Sequence, residues 1–359
     1  MRGPNGMTTW GRRLTLLSAF VVGIAACSSG PAASATPAST PTSSATSGAS
    51  TEPSATACEP QTVAIALSQQ IFSYSPIYVA AAKGFWTDEN LTVDITFFKS
   101  GSESQQAVLG DAVLLGAGGY TEPITLAAQG VPAVAFGFVE GALPYKLMAQ
   151  KDITTIDQLA GKVLGVSRVG ALSDQVTRIA LSKAGFDPNK ATYQAAGGSP
   201  DRFAALQAGA VSATVLDSPT YLLAQEAGFN TLMDVAKELE GFPYELLWAK
   251  KATIDANPDT FLCFMRGYIR GAQYFKDPAN KDEVISIIAK ALGQEEATSK
   301  LGYETTFDDF PADGAASLEG LRLALDGTQK FGNIPNADKV TAEQLYYPDL
   351  QKQALESLK

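Results

Sequence analysis

Two short stretches pair small hydroxyl-bearing residues with the start of a helical pattern. Ser100-Gly101-Ser102 precedes a run that ends at Gly110, and Ser167-Arg168-Val169-Gly170-Ala171 precedes one carrying Val176, Ile179 and Ala180 on a single face. Free backbone N–H groups and the helix dipole make such starts cradles for an oxyanion. The same residues also serve as plain caps and turns. Arg168 adds a guanidinium that either grips a ligand or bridges a surface carboxylate. Three further loops supply candidate contacts: Ser68, Phe72 and Tyr74; Gly119, Tyr120 and Thr121; and Asp217 with Ser218. Asp217 either caps the helix that begins at Pro219 or receives a ligand's amino or hydroxyl group. Phe72, Tyr74, Tyr120, Tyr145, Tyr244 and Trp248 either line a cleft or fill the core. Glu122 and Glu140 are suited to acid–base work, but spacing identifies no partner carboxylate, so no catalytic residue is assigned.

Composition narrows the chemistry further. The 359 residues contain no histidine, which removes Ser-His-Asp and Cys-His nucleophile pairs, histidine-ligated metals and imidazole proton shuttles. Neither a metal site nor a cofactor motif is read. A net charge of -10 opposes attraction to nucleic acid phosphates or anionic lipid. The length fits two domains, and 45% hydrophobic residues suit a globular chain.

Arg12 and Arg13 precede the apolar run Leu14 to Ala26, whose 13 residues are too few for the ~20 that span a bilayer. It ends Ile24-Ala25-Ala26-Cys27, which resembles the lipobox of bacterial lipoproteins. That resemblance implies a signal peptide over 1–26, a lipid on Cys27, and anchoring to the outer face of the cell membrane. Residues 28–57 are Ser, Thr, Ala, Pro and Gly apart from Glu52, too little apolar surface to offset ordering entropy. With Cys27 they form a disordered linker, and the folded part begins at Cys58. Cys58 and Cys263 then form an even pair in an oxidising setting. On a helix over 257–275, Phe261, Phe264, Met265, Tyr268 and Ala272 form an apolar stripe. Cys263 falls off it beside Arg266 and Arg270, near the surface. A disulfide, or one exposed and one buried thiol, are the two states open to the pair.

Positioning these loops requires strands that alternate with helices. Thr62–Leu67 and Leu91–Phe98 alternate as strands, and Pro76 opens a helix that Gly84 closes. Ser102 with Gln105 has the capping-box pattern, and Asp111–Ala117 is a third, almost wholly apolar strand. Strands at 163–166, 191–195 and 211–216, with intervening helices, repeat the logic. The tail from 257 is helical and is expected to pack on the first sheet. The class is α/β, each half a mostly parallel sheet flanked by helices.

The stretches SPIYVAAAKGFWTDENLTVDI, QLAGKVLGV, ALQAGAVSATVLDSP and EAGF occur in an order, across 61–275, that resembles the substrate-binding proteins of ATP-driven importers of the nitrate, sulfonate, taurine and thiamine-pyrimidine group, the NMT1/THI5-like family. Gly110-Asp111-Ala112 departs from the Gly-x-Ala-Asp often found there. The resemblance implies a two-lobed type 2 periplasmic-binding-protein fold, with lobe I over 58–143 plus 245–359 and lobe II over 144–244. It implies capture of a small organic solute in the interlobe cleft, a sulfonate- or carboxylate-like anion being favoured. The implied partners are a permease and its ATPase, with the receptor itself monomeric. An enzyme acting on a small heterocycle or pyrimidine-like compound, and a ligand sensor, are the alternatives.

Overall fold

The computed structural model describes residues 58–359; the signal-like segment 1–26, Cys27 and the 28–57 linker lie outside the described residues. Among the described residues ten strands are present: β1 Gln61–Leu67, β2 Leu91–Phe97, β3 Leu115–Gly119, β4 Ala133–Glu140, β5 Tyr145–Ala149, β6 Val163–Val166, β7 Thr192–Ala195, β8 Ala213–Asp217, β9 Asn230–Asp234 and β10 Glu245–Lys250. They form two five-stranded sheets, ordered β2-β1-β3-β10-β4 and β7-β6-β8-β5-β9. In each, four strands run one way and one is inverted. That strand is β10 in the first sheet, antiparallel to β3 and β4, and β5 in the second, antiparallel to β8 and β9. The inverted strands are the two that follow a passage between sheets, at 140–145 and 238–245. Helices cover both faces, so the fold is a two-lobed α/β architecture.

Local chemistry explains most element ends. Pro76 sits in the first turn of the helix Ser75–Lys83, and Gly84 closes it at φ 73°, where a side chain would be strained. The helix Gly101–Leu109 starts earlier than the Ser102/Gln105 pattern suggests. Ser100 is its cap, accepting from the Glu103 amide at 3.4 Å, while the Glu103 carboxylate accepts from the Lys99 amide at 3.1 Å. The third strand likewise begins at Leu115 instead of Asp111. Asp111 takes a left-handed φ of 56°, and the Ala112 amide donates to Ala107 O at 2.9 Å, so residues 110–112 close the helix before pairing begins with the Leu114 amide on Ala64 O at 2.8 Å.

The long helix Pro258–Lys276 buries the expected stripe against the first sheet. Gly271 lets it approach Ser75–Lys83 closely, since a Cβ there would lie 2.6 Å from both Ala80 Cβ and Pro76 O. Cys263 is not near the surface: it is 1% exposed. Cys58 and the turn Thr87–Glu89 cover that side of the helix, and the Arg266 Nε donates to Glu89 at 2.8 Å. Cys58 and Cys263 are joined as a disulfide, their Cα atoms 6.4 Å apart. The tail also does more than pack on the first sheet. Its helix Leu318–Phe331 lies against Leu172–Lys183 of the second lobe, Thr328 Oγ1 donating to Gln175 Oε1 at 3.0 Å and Gly327 admitting Ile179. Among the described residues no helix is long and apolar enough to cross a membrane.

Candidate ligand site between the lobes

The carboxyl ends of β1, β3, β6 and β8 face one cleft of about 490 Å³, the position where open α/β sheets bind ligands. Eleven sequence candidates line it: Ser68, Ser100, Gly101, Ser102, Gly119, Thr121, Ser167, Arg168, Gly170, Ala171 and Asp217. Four do not. Phe72 packs edge-on against Phe310 and beside Gly302. Tyr74 is buried behind the wall, and Tyr120 is buried edge-on against Phe242. Ser218 pairs with Thr305 at 2.8 Å. Phe72 and Tyr74 turn away from the cleft because the loop after β1 winds into the short helix Phe72–Tyr74.

The first lobe's wall is built on carboxylates. Glu122 lies in the first turn of the helix Thr121–Ala128 and is 6% exposed; Glu245 opens β10, opposite Gly119, and is 4% exposed. Glu122 accepts from Thr121 Oγ1 at 3.1 Å. Glu245 accepts from the Tyr74 hydroxyl at 2.8 Å, which in turn accepts from Ser68 Oγ at 2.6 Å. Neither carboxylate has an ion-pair partner among the described residues. Burial pushes the Glu122 carboxyl up to about 7. Burial, with repulsion from Glu122, pushes Glu245 up to about 8. The two titrate as a pair, Glu245 ionising second against the charge already on Glu122. Gly101 and Gly118 make room for Glu122; a Cβ on Gly118 would come within 2.9 Å of its Oε1, and one on Gly101 would fall on the carboxylate itself.

The second lobe's wall carries Arg168 and Arg202 with one carboxyl, Asp217. Arg202, nearly buried, donates to Val215 O at 3.1 Å and Gly197 O at 2.9 Å, and its charge is felt by Asp217. Burial raises the Asp217 carboxyl, with Ser199 and Arg202 opposing. Asp217 also accepts from Thr220 Oγ1 at 3.4 Å, but it does not cap the helix Thr220–Glu226, whose N-cap is Pro219 and has no side-chain cap bond. At the hinge, Tyr145 and Tyr244 meet edge-on with hydroxyls 3.2 Å apart and form the floor. Across the mouth, Arg168 Nη2 donates to Ser102 Oγ at 3.2 Å, and in the interior Tyr120 Oη donates to Gln175 Oε1 at 3.3 Å.

Arg168 is exposed at the rim and bridges to Ser102 instead of a surface carboxylate. Toward the expected anion the cleft presents two buried carboxyls that burial makes harder to ionise, with Lys99 and Arg168 exposed at its rim. Sequence reasoning missed Glu245, Gln105, Gln175, Ser199 and Arg202. The available signal for Glu245 was an acidic residue at the head of the apolar run Leu246-Leu247-Trp248-Ala249.

Residues 71–281 match the family described as NMT1/THI5 like. The chain belongs to that family. A curated relative, "Putative binding protein YtlA" of Bacillus subtilis (strain 168), is 26% identical over 215 residues; the match takes in 58% of this chain and 64% of that protein, just under two thirds of its length. A structure from Bordetella bronchiseptica RB50 superimposes with TM-score 0.71 at 24% identity, covering 83% of this chain and 98% of that one. The alkanesulfonate-binding protein SsuA of Xanthomonas axonopodis pv. citri, bound to MOPS, superimposes with TM-score 0.66 at 17% identity, covering 81% and 100%. At these identities the likeness is one of fold.

Proposed function

We propose that the protein is the solute-binding component of an ABC importer, held outside the cytoplasm by a lipid on Cys27 and closing its lobes over a small solute. The observation that carries this reading is the cleft itself: polar groups from both lobes face one cavity, and Arg168 and Ser102 meet across its mouth. The two passages supply the hinge, where Gly241 holds φ 78°, a conformation only glycine takes without strain. The names of the relatives, a binding protein and an alkanesulfonate-binding protein, support the same role. Lobes 58–143 plus 245–359 and 144–244, a permease and ATPase as partners, and a monomeric receptor complete the proposal.

An enzyme on the same fold is the second reading. Glu122 at about 7 and Glu245 at about 8 stand where a general acid and base operate near neutral pH. One experiment separates the two. Native mass spectrometry of protein purified from membranes should show a retained small molecule that is unchanged on release. A retained compound converted to product by the protein would establish the enzyme, and a protein that retains and binds nothing would refute both readings.

A further inference from the structure

Three observations on the first lobe's wall converge. Glu122 and Glu245 are both more than nine-tenths buried, line the same cavity and form no ion pair among the described residues; the cations Lys99 and Arg168 are exposed at the cavity's rim. Gln105, 6% exposed on the same wall, leaves its side-chain Nε2 without a hydrogen-bond partner. On the opposite wall Arg202 is turned away to two backbone carbonyls, with its charge acting on Asp217. A buried carboxylate pair costs several kcal/mol unless it is protonated or matched by positive charge.

We infer that the solute carries a cationic nitrogen, a primary ammonium or an amidinium, and that Glu122 and Glu245 receive it, with Gln105 binding a polar atom beside it. This rests on the solute-binding reading above. The nitrogen's N–H groups donate to the two carboxylates and stay on nitrogen. Any proton already on a carboxyl leaves to solvent as the cation enters.

The exchange has a pH signature. The groups facing the pair are Ser68, Tyr74, Gln105, Thr121, Tyr145 and Tyr244, with Lys99 and Arg168 exposed at the rim, Asp217 and Arg202 across the cleft, and Glu140 and Asp309 behind Tyr244 and Glu245. Burial holds the three tyrosines above their ordinary range, so they stay neutral while the carboxyls titrate. Affinity for a cation should rise with pH by up to about tenfold per unit for each proton displaced, then level off once both carboxylates are ionised.

The test uses two matched sets of probes on the full mature protein: benzylamine, benzyl alcohol and benzoate, and propylamine, propanol and propionate. Thermal shift and titration calorimetry near neutral pH should show the amines binding in preference to their neutral and anionic partners. Glu245→Gln and Glu122→Gln should each weaken amine binding by about tenfold to a hundredfold and flatten its pH profile. Benzoate or propionate binding in place of the amines, or amine binding unmoved by both substitutions, would overturn the inference and leave the solute-binding reading standing. If no probe binds, the solute retained in native mass spectrometry decides: one lacking a basic nitrogen overturns this inference alone, and no retained solute overturns both readings.

Discussion

Replacing Glu245 by Gln tests the electrostatics of the cleft without any ligand. Its carboxyl stands at about 8 in the folded protein, against an ordinary value of 4.5. The folded state therefore holds this proton more tightly than the unfolded state. Stability from that proton is fully present below pH 4.5 and is lost as pH rises to about 8. At 1.36 kcal/mol per pH unit, the loss between pH 5 and pH 7 is on the order of 3 kcal/mol. For a folded unit of about 300 residues this corresponds to a Tm change of roughly 5 °C. The glutamine side chain cannot ionise, and its amide oxygen can still accept from the Tyr74 hydroxyl. The variant should thus be close to the parent in stability near pH 4.5 and progressively more stable as pH rises, the gap levelling above pH 8. Thermal melts of parent and variant across this range measure the gap directly. A gap that is constant with pH, or that reverses, would refute the assignment of Glu245 as a buried, unpaired carboxyl.

Other substitutions probe the remaining parts of the argument. Gly101→Ala removes no polar group, yet its Cβ displaces the Glu122 carboxylate; solute affinity measured by calorimetry should fall at least about tenfold while the far-UV spectrum is unchanged. Arg168→Ala removes an exposed rim contact to Ser102, so stability should change by about 0.5 kcal/mol or less. Its effect should lie in the rate of solute release in stopped flow, and a loss of affinity of several kcal/mol would put Arg168 back on the ligand. Cys58 and Cys263, 205 residues apart, should yield no free thiol under denaturing, non-reducing conditions. Replacing both with Ser should cost up to about 5.4 kcal/mol by the loop-entropy argument, read as a lower midpoint in urea unfolding.

The legible parts of the sequence were those governed by near neighbours. Pro76 and Gly84 bracket a helix because proline suits a first turn and glycine a left-handed cap, and the glycine- and serine-rich loops at 100–102 and 167–171 lie where strands hand over to helices on the cleft. The strand–helix alternation was enough to place the chain in the α/β class. Boundaries slipped where a competing contact decided them. Ser100 has the extended backbone of a cap, which moved the helix start, and the left-handed turn at Asp111 delayed β3.

What no local pattern carried was which side chains meet from distant parts of the chain. Glu122 was visible as an acidic residue at a helix start, but its counterpart Glu245 arrives only because β10 is inserted antiparallel beside β3 and sets Glu245 opposite Gly119. Tyr74 and Tyr120 have the composition of ligand-stacking residues, and packing assigned them to the interior instead. Cys263 faces off the apolar stripe of its helix, yet the start of the folded chain and the turn Thr87–Glu89 seal it. The sequence determined the small-residue turns, the periodicity and the absence of histidine chemistry, because each depends on residue type and short spacing. The charge character of the cleft was decided by tertiary structure alone, because burial and the approach of a second carboxylate, not the identity of glutamate, raise its proton affinity.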